Sequence, residues 1–366
     1  MKFTVKIDDM LGTLELLKPI IPTRTTLPIL EMLYMEIDDT GILNIMGSDS
    51  DNFMKTNLFV ESHEAGSILV SYNKLRSLLL ALNSDIDEYL VFDVDIDNNI
   101  KISVKNGEYK MKGINSDEYL DIYEFHSERS INVSGDVLKM IKKVSFACSK
   151  DEYRPAMLGV YFAVSENKLS IVATDSYMMA IYEKPIECED IEFIVPVSIV
   201  SILEKVKDKC QIYFQYNKKK DFFAKMRFEC NEFTLTTRVI EQSFPAYKKV
   251  IPSSFNSCVI IDVKELRSCI NRVSLFSDKT TSKVKVIGDD NILTISAQGD
   301  TESALEKYYL STPFNAEFVL NYKLWNNGLA FIGQECEIKF FEKNKPIIFE
   351  NAEENLTYLL MPLRID

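Results

Sequence analysis

Histidine is nearly missing from this chain, with two in 366 residues. His63 and His126 lie far apart, and neither belongs to a ligand-like pair. That scarcity removes most imidazole metal sites and nucleophile–base pairs. The sequence holds no H-E-x-x-H, G-x-S-x-G, P-loop or G-x-G-x-x-G segment, so common hydrolytic and nucleotide-binding signatures are absent. The 7 cysteines, Cys148, Cys188, Cys210, Cys230, Cys258, Cys269 and Cys336, are scattered and never form a C-x-x-C pair. This argues against a zinc site and a disulfide framework, and buried free thiols are expected. No run is long and apolar enough to span a bilayer. The opening Met1-Lys-Phe-Thr-Val-Lys6 alternates like a strand and has no apolar signal core. A cytoplasmic chain with no membrane partner, cofactor, metal or catalytic residue is the expectation. One acidic motif, Asp93-Val-Asp95-Ile-Asp97, resembles a calcium loop only briefly. Positions six and twelve hold Asn98 and Val104 where glycine and glutamate are needed. The alternating aspartates are expected on the wet face of a strand.

What the chain does contain is a long internal period. Its length predicts two or three domains. Phe3–Leu11, Ile131–Leu138 and Val259–Leu266 each read as a strand leading into a helix, and their closing leucines are spaced 127 and 128 residues apart. Asp9, Asp136 and Asp262 stand near the helix starts, where a carboxylate caps N–H groups or complements the dipole. A second series, Ser67–Lys74, Phe193–Ser198 and Phe318–Lys323, places Val70, Val195 and Leu320 at two equal spacings of 125. Three copies of a unit of about 125 residues follow. Further strands are predicted at Leu90–Asp97, Ile100–Val104, Lys168–Ala173 and Asn291–Ser296. The fold class is α+β, with two helices per repeat on antiparallel sheet. The domains are expected at 1–128, 129–254 and 255–366, the last joined through the linker Pro252-Ser-Ser-Phe-Asn-Ser257.

Charge is distributed unevenly over that repeat. The chain carries −13, which by itself counts against a nucleic-acid partner. The helix windows 8–20, 73–83, 135–149, 198–209, 262–277 and 321–332 hold 13 basic and 8 acidic residues, a net +5. Solubility and dipole pairing account for some of that excess. A shared basic helix face toward phosphate is the functional reading.

The chain ends on Thr357-Tyr-Leu-Leu-Met-Pro-Leu-Arg-Ile-Asp366, where termini are usually polar. Leu359, Leu360, Met361, Leu363 and Ile365 must fill a core or line a groove. This ending resembles that of the bacterial sliding clamp family, the beta subunit of DNA polymerase III. The resemblance covers essentially the whole chain. It runs through Met1-Lys-Phe-Thr-Val5, Thr23-Arg-Thr-Thr-Leu-Pro-Ile-Leu30, Ser48-Asp-Ser-Asp51, Arg154-Pro-Ala-Met-Leu-Gly159, Ala173-Thr-Asp-Ser-Tyr-Met-Met-Ala180, Ser243-Phe-Pro-Ala-Tyr-Lys-Lys-Val-Ile-Pro252 and Met361-Pro-Leu-Arg364.

The resemblance implies three clamp domains per chain and a head-to-tail homodimer closed into a ring. Helices would line the hole and sheets the outer wall. It implies a non-catalytic processivity factor that encircles double-stranded DNA without reading its sequence. A replicative polymerase, a clamp loader and repair factors would dock through short linear peptides. By the same resemblance, Arg24, Lys74, Lys150 and Arg154 would reach DNA. The peptide groove would comprise Met157, Thr174, Ser176, Tyr177, Met178, Met179, Pro245, Val250, Tyr322, Pro346, Leu359, Leu360, Met361, Pro362 and Leu363. Tyr109 and Met111 would meet Leu275 and Phe276 across the subunit boundary.

Two departures stand out. Tyr177-Met178 occupies the place of the family's usual His-Arg, and a basic residue near Val197 is missing. They keep open a divergent clamp paralogue with a regulatory role. A carboxylate-site enzyme is the alternative from another class.

Overall fold

The computed structural model describes residues 1–366 apart from 83–87, 120–124, 218–221 and 365–366. Ile365, part of the expected apolar terminus, and Asn83, the end of the second helix window, lie outside the described residues. Six strand–helix passages recur among the residues described. Lys2–Lys6 enters α1 (Ile7–Leu17), Gly66–Ser71 enters α2 (Tyr72–Leu82), and Arg129–Ser134 enters α3 (Gly135–Ser145). Ile191–Pro196 leads through a 3₁₀ turn into α4 (Val200–Leu203), Ser257–Asp262 into α5 (Val263–Ser274), and Ala316–Asn321 into α6 (Tyr322–Leu329). Leu11, Leu138 and Leu266 are buried, as are Val70, Val195 and Leu320. The sequence period is therefore a period of core positions.

Several local expectations change. Of the three aspartates near helix starts, Asp262 caps its helix, its carboxylate accepting from the Glu265 amide at 2.7 Å, while the other two complement the dipole. Asp9 and Asp136 sit inside the first turns of α1 and α3. α4 has four residues, far fewer than its predicted window. Ile199, Val200, Ile202 and Val206 match a helical period but are β-branched and hold a helix weakly. The chain tightens after Leu203 through Lys205 N–Ile202 O at 3.0 Å and Val206 N–Leu203 O at 3.2 Å. Lys209 already opens the strand Lys209–Asn217. Asp95 and Asp97 belong to a turn between the strands Tyr89–Val94 and Asn99–Val104. The Asp95 carboxylate accepts from the amides of Asp97 and Asn99, each at 2.9 Å, so it shapes the turn.

The cysteine expectation also needs correcting. Cys210 and Cys230 are joined in a disulfide, 20 residues apart, with Cα atoms 4.6 Å apart. They stand opposite each other in the register of the strands Lys209–Asn217 and Phe222–Cys230. Spacing rules detect clustered ligands, not cross-strand neighbours. Cys148, Cys188, Cys258, Cys269 and Cys336 are free thiols.

The residues group into two compact units. Unit 1 holds Met1–Leu138 and Ser201–Val239, and unit 2 holds Lys139–Val200 and Ile240–Asp366. Unit 1 contains a five-stranded antiparallel sheet in the order Glu61–Glu64, Lys2–Lys6, Tyr89–Val94, Asn99–Val104, Gly107–Lys112. It also contains an eight-stranded sheet that joins strands of the first two repeats where Thr234–Arg238 pairs with Asn52–Phe59. At that junction the Thr237 hydroxyl donates to Asn52 Oδ1 at 2.6 Å in a buried bond. On the helices of this unit, Arg76 Nη2 on α2 meets Glu15 Oε1 on α1 at 2.6 Å.

Unit 2 contains a four-stranded sheet in the order Ser303–Tyr309, Ile292–Gln298, Lys283–Asp289, Ala316–Asn321. Its eight-stranded sheet joins the second and third repeats where Met178–Pro185 pairs with Leu356–Leu360. α6 lies over that last strand. A Cβ on Gly328 would stand only 2.0 Å from Cε1 of the Tyr358 ring. Tyr358 is itself buried, its hydroxyl donating to the Leu324 carbonyl at 2.8 Å. Gly328 is thus required by close approach, although glycine weakens a helix. Gly328→Ala gains about 1 kcal/mol of helix propensity. Overpacking costs about 1–3 kcal/mol, more here because a ring must move. A lower urea midpoint is expected; an unchanged or higher midpoint overturns this packing account.

Candidate functional site

An apolar groove of about 250 Å³ opens in unit 2. Its first wall is the hairpin between the strands Lys168–Thr174 and Met178–Pro185. Thr174 Oγ1 accepts from the Ser176 amide at 3.1 Å and donates to the Met178 carbonyl at 2.7 Å. Asp175 Oδ1 accepts from the amides of Tyr177 and Met178, each at 2.8 Å. These short side chains bend the backbone as Asx and Thr turns do, and Ser176 takes φ 80°. The bend leaves Tyr177 exposed at the rim and turns Met179 into the groove, while Met178 borders the lining with its Sδ 4.0 Å from the Tyr358 hydroxyl.

The second wall is the strand Leu356–Leu360. Strand alternation sends Leu359 into the groove, while Tyr358 and Leu360 face the opposite side. Met361 continues the groove face, its amide donating to the Tyr177 carbonyl at 2.9 Å. The third wall is the segment that precedes the last repeat. Pro245, Ala246, Tyr247 and Val250 line it, the last two on a 3₁₀ turn Tyr247–Val250. It is anchored beneath by Phe244 stacked on Tyr161 with ring centroids 4.7 Å apart, and by Tyr247 edge-on to both rings. Met157 and Pro346 complete the lining.

Two buried groups near Asp175 are chemically quiet. Cys148 is buried, and burial together with the nearby Asp175 carboxylate pushes its thiol up to about 12. Burial first, then Asp175, raises the Tyr358 phenol as well. Both groups stay neutral at physiological pH. The lining carries no charged side chain. At the mouth, Arg154 donates from Nη1 to Ser176 Oγ at 2.9 Å, and its Nε lies 3.3 Å from Asp151 Oδ2.

Most of the expected groove residues thus come together: Met157, Thr174, Ser176, Tyr177, Met178, Met179, Pro245, Val250, Pro346, Leu359 and Met361. Leu360, Tyr322, Pro362 and Leu363 stand outside the lining. Leu360 falls on the other strand face, and the Leu363 amide bonds to the Val319 carbonyl at 2.8 Å, drawing the chain away. Tyr322 begins α6. Ala246 and Tyr247 line the groove unannounced, although they sit inside the quoted 243–252 segment. Arg24 and Lys74 are exposed in unit 1, and Lys150 and Arg154 are exposed in unit 2. Tyr109 and Met111 lie on the edge strand Gly107–Lys112 of unit 1, and Leu275 and Phe276 follow α5 in unit 2, where Leu275 is largely open to solvent and Phe276 partly so.

Family models for the DNA polymerase III beta subunit match in sequence order. The N-terminal domain matches residues 1–123, the central domain 132–246 and the C-terminal domain 248–364. The chain belongs to the DNA polymerase III beta subunit family. The beta sliding clamp of Staphylococcus aureus (strain Mu50) is 26% identical over 391 residues, covering 100% of this chain and 99% of the relative. That of Synechococcus elongatus is 23% identical over 382 residues, with 100% of both covered. The Pseudomonas aeruginosa sliding clamp solved with griselimycin has a TM-score of 0.91 at 21% identity, and the Streptococcus pyogenes beta subunit has 0.91 at 19%. Each covers 100% of both chains. The chain is a DNA sliding clamp, three clamp domains of antiparallel sheet and helix, and a non-catalytic processivity factor.

The burial of Cys148 makes a direct prediction. The thiolate is the reactive form of cysteine, and the raised value leaves Cys148 as the neutral thiol well above pH 8. Ellman's reagent at pH 8 should modify partly exposed Cys188 in the native protein and reach Cys148 only on unfolding. Fast native labelling of Cys148, located by mass spectrometry, overturns its burial.

Proposed function

We propose that two copies of this clamp close head to tail around duplex DNA, and that the unit 2 groove docks short linear peptides. The polymerase, the clamp loader and repair factors are the peptide donors on this reading. One observation carries it. Residues from five separated chain segments converge on a single apolar, uncharged groove with an exposed aromatic rim. Such a surface suits burial of a few apolar anchors from an extended peptide. Methionines let it repack around different anchors. We read the domains as 1–128, 129–254 and 255–366, and the working place as the cytoplasm.

Ring closure is supported by two sheet edges. Gly107–Lys112 ends the five-stranded sheet of unit 1, and Ser303–Tyr309 ends the four-stranded sheet of unit 2. Open edges invite strand addition, and a head-to-tail contact closes a ring when the rotation allows. Tyr109 and Met111 on the first edge would meet Leu275 and Phe276 beside the second. Exposed Arg24, Lys74 and Lys150 are our DNA-facing residues, with Arg154 a weaker candidate because Asp151 and Ser176 engage it. A ring retains DNA by topology, so few phosphate contacts suffice, and a net charge of −13 suppresses nonspecific binding.

The groove reading is tested by Met361→Asp, which places a carboxylate on an apolar wall. Affinity for a peptide with two apolar residues near its end should fall by at least about tenfold. Processive synthesis on primed circular DNA with a loader should fall with it, while the dimer persists. Undiminished peptide affinity in calorimetry rejects the groove.

The seam is tested separately by Leu275→Ala with Phe276→Ala. Each lost anchor costs on the order of 2 kcal/mol, so sedimentation should shift toward monomer. An unchanged dimer mass at low protein concentration removes these residues from the interface.

A further inference from the structure

Cys210 and Cys230 are bonded in a chain that keeps its other five cysteines as free thiols. For a chain read as cytoplasmic, an isolated disulfide is unusual and points to redox responsiveness. The strand ladder allows this bond to open and close without disturbing the register. The two residues stand opposite each other between Lys209–Asn217 and Phe222–Cys230. The Cys230 amide is turned to the other side, donating to the Phe233 carbonyl at 3.0 Å. The pair is therefore a non-hydrogen-bonded one, whose Cα atoms approach to about 4.5 Å in any antiparallel ladder. Here they are 4.6 Å apart, so the two sulfurs face each other whether or not they are joined. Cys210 continues the buried row of Ile212 and Phe214, and Cys230 that of Met226 and Phe228. A thiol behaves in such a row as a small apolar side chain. Cys210 is buried and Cys230 only half-buried, which opens the bond to a small nucleophile from the Cys230 side.

The bond stands at a joint. It lies at the end of the ladder remote from Asn217 and Phe222, where the segment before Cys210 meets the turn after Cys230. The Lys207 amide donates to Glu232 Oε1 at 3.3 Å, and Asn231 Nδ2 donates to Asp208 Oδ2 at 3.3 Å. The turn is held to the first repeat by Thr56 Oγ1, which donates to the Glu232 carbonyl at 3.1 Å. It leads straight into Thr234–Arg238, the strand that pairs with Asn52–Phe59 and joins the two repeats. The segment before Cys210 supports α3, since the Gly135 amide donates to the Asp208 carbonyl. A Cβ on Gly135 would stand only 2.7 Å from the Val206 carbonyl oxygen. Freedom gained at this end of the ladder is therefore passed to the strand that carries the junction.

We propose that Cys210 and Cys230 are a reversible oxidation site, a dithiol–disulfide couple whose oxidised form staples the joint between the first and second repeats. The reductant is a small dithiol and the oxidant is hydrogen peroxide. In reduction, a thiolate of the dithiol attacks Cys230 Sγ, the bond to Cys210 breaks, and the Cys210 sulfur leaves as a thiolate that takes up a proton. The second thiolate of the reductant then attacks the reductant's own sulfur in the mixed disulfide. Cys230 leaves and is protonated, and the reductant departs as a cyclic disulfide. In oxidation, one cysteine thiolate attacks a peroxide oxygen and becomes a sulfenic acid as hydroxide leaves. The other thiolate attacks that sulfur and displaces a second hydroxide, and the two thiol protons convert both hydroxides to water.

The test equilibrates the full-length protein with dithiothreitol at graded ratios of its dithiol and disulfide forms, then re-oxidises it with hydrogen peroxide. Alkylation and mass spectrometry follow each cysteine. In the native protein, Cys210 and Cys230 should become alkylated together on reduction and protected together after peroxide. Hydrogen exchange of Asn52–Phe59 and Thr234–Arg238 should be faster by at least about tenfold in the reduced form. Cys210→Ala with Cys230→Ala should exchange like the reduced wild type, in dithiothreitol and in peroxide alike. A bond that opens only after unfolding, or thiols that peroxide does not rejoin, overturn the reversible site. Equal exchange in the reduced and oxidised wild type removes the staple role. The wild type supplies both states, so this outcome is read whether or not the double variant folds.

Discussion

Five residue pairs, from Met178 with Leu360 to Tyr182 with Leu356, join the second repeat to the third. Most of what matters in unit 2 hangs on this ladder. It completes the eight-stranded sheet, so neither strand is left with an open edge. It sets Met179 beside Leu359, side by side on one face of the sheet, at the base of the groove. It also holds Tyr358 under α6, where Gly328 alone leaves room for the ring. A one-residue slip would exchange Leu359 for Leu360 and turn the groove inside out. The buried Tyr358 hydroxyl bond to the Leu324 carbonyl opposes such a slip, because breaking it strands a polar group in the core.

The wall made by Pro245, Ala246, Tyr247 and Val250 depends on the same sheet from the other side. Tyr247 joins Met179, Ile181, Ile348 and Leu359 in one buried cluster, and Phe244 stacks on Tyr161 at its margin. The segment between the repeats is therefore clamped by aromatic packing, although it contains almost no regular structure. Its position makes it a rigid boundary of a binding surface. Loops held on a firm scaffold are where recognition usually resides, and here the scaffold is the inter-repeat sheet.

How much of this was legible in the sequence varied with the range of the interaction. The six strand–helix passages were, because each copy repeats its buried positions at a constant spacing. Leu138 and Val195 are buried for the same reason as Leu11 and Val70. The hairpin from Thr174 to Met179 and the terminal Leu359 and Met361 were also readable, since these short segments resemble those of the family. What escaped was settled by register and tertiary packing. Leu359 and Leu360 are indistinguishable by type, and only the pairing with Met179 and Met178 assigns their faces. Cys210 and Cys230 meet through a strand register that no spacing rule contains. Val206 has the period of a helix, yet Lys209 is claimed by a strand that pairs with Arg129–Ser134. The Ser176 contact with Arg154 depends on a backbone angle that serine rarely adopts.

The two inter-repeat ladders also dictate when the protein can come into being during synthesis. Asn52–Phe59 finds its outer partner only in Thr234–Arg238, and Met178–Pro185 only in Leu356–Leu360. Pairings this remote in sequence demand closure of long loops before any contact repays the entropy. A nascent chain that has emerged as far as the second repeat must wait with raw strand edges exposed. The second sheet waits longer still, because its closing strand Leu356–Leu360 is made after Thr234–Arg238. An unfinished chain therefore has no groove to offer. Competence to recruit a partner arrives in one step, when Leu356–Leu360 pairs with Met178–Pro185.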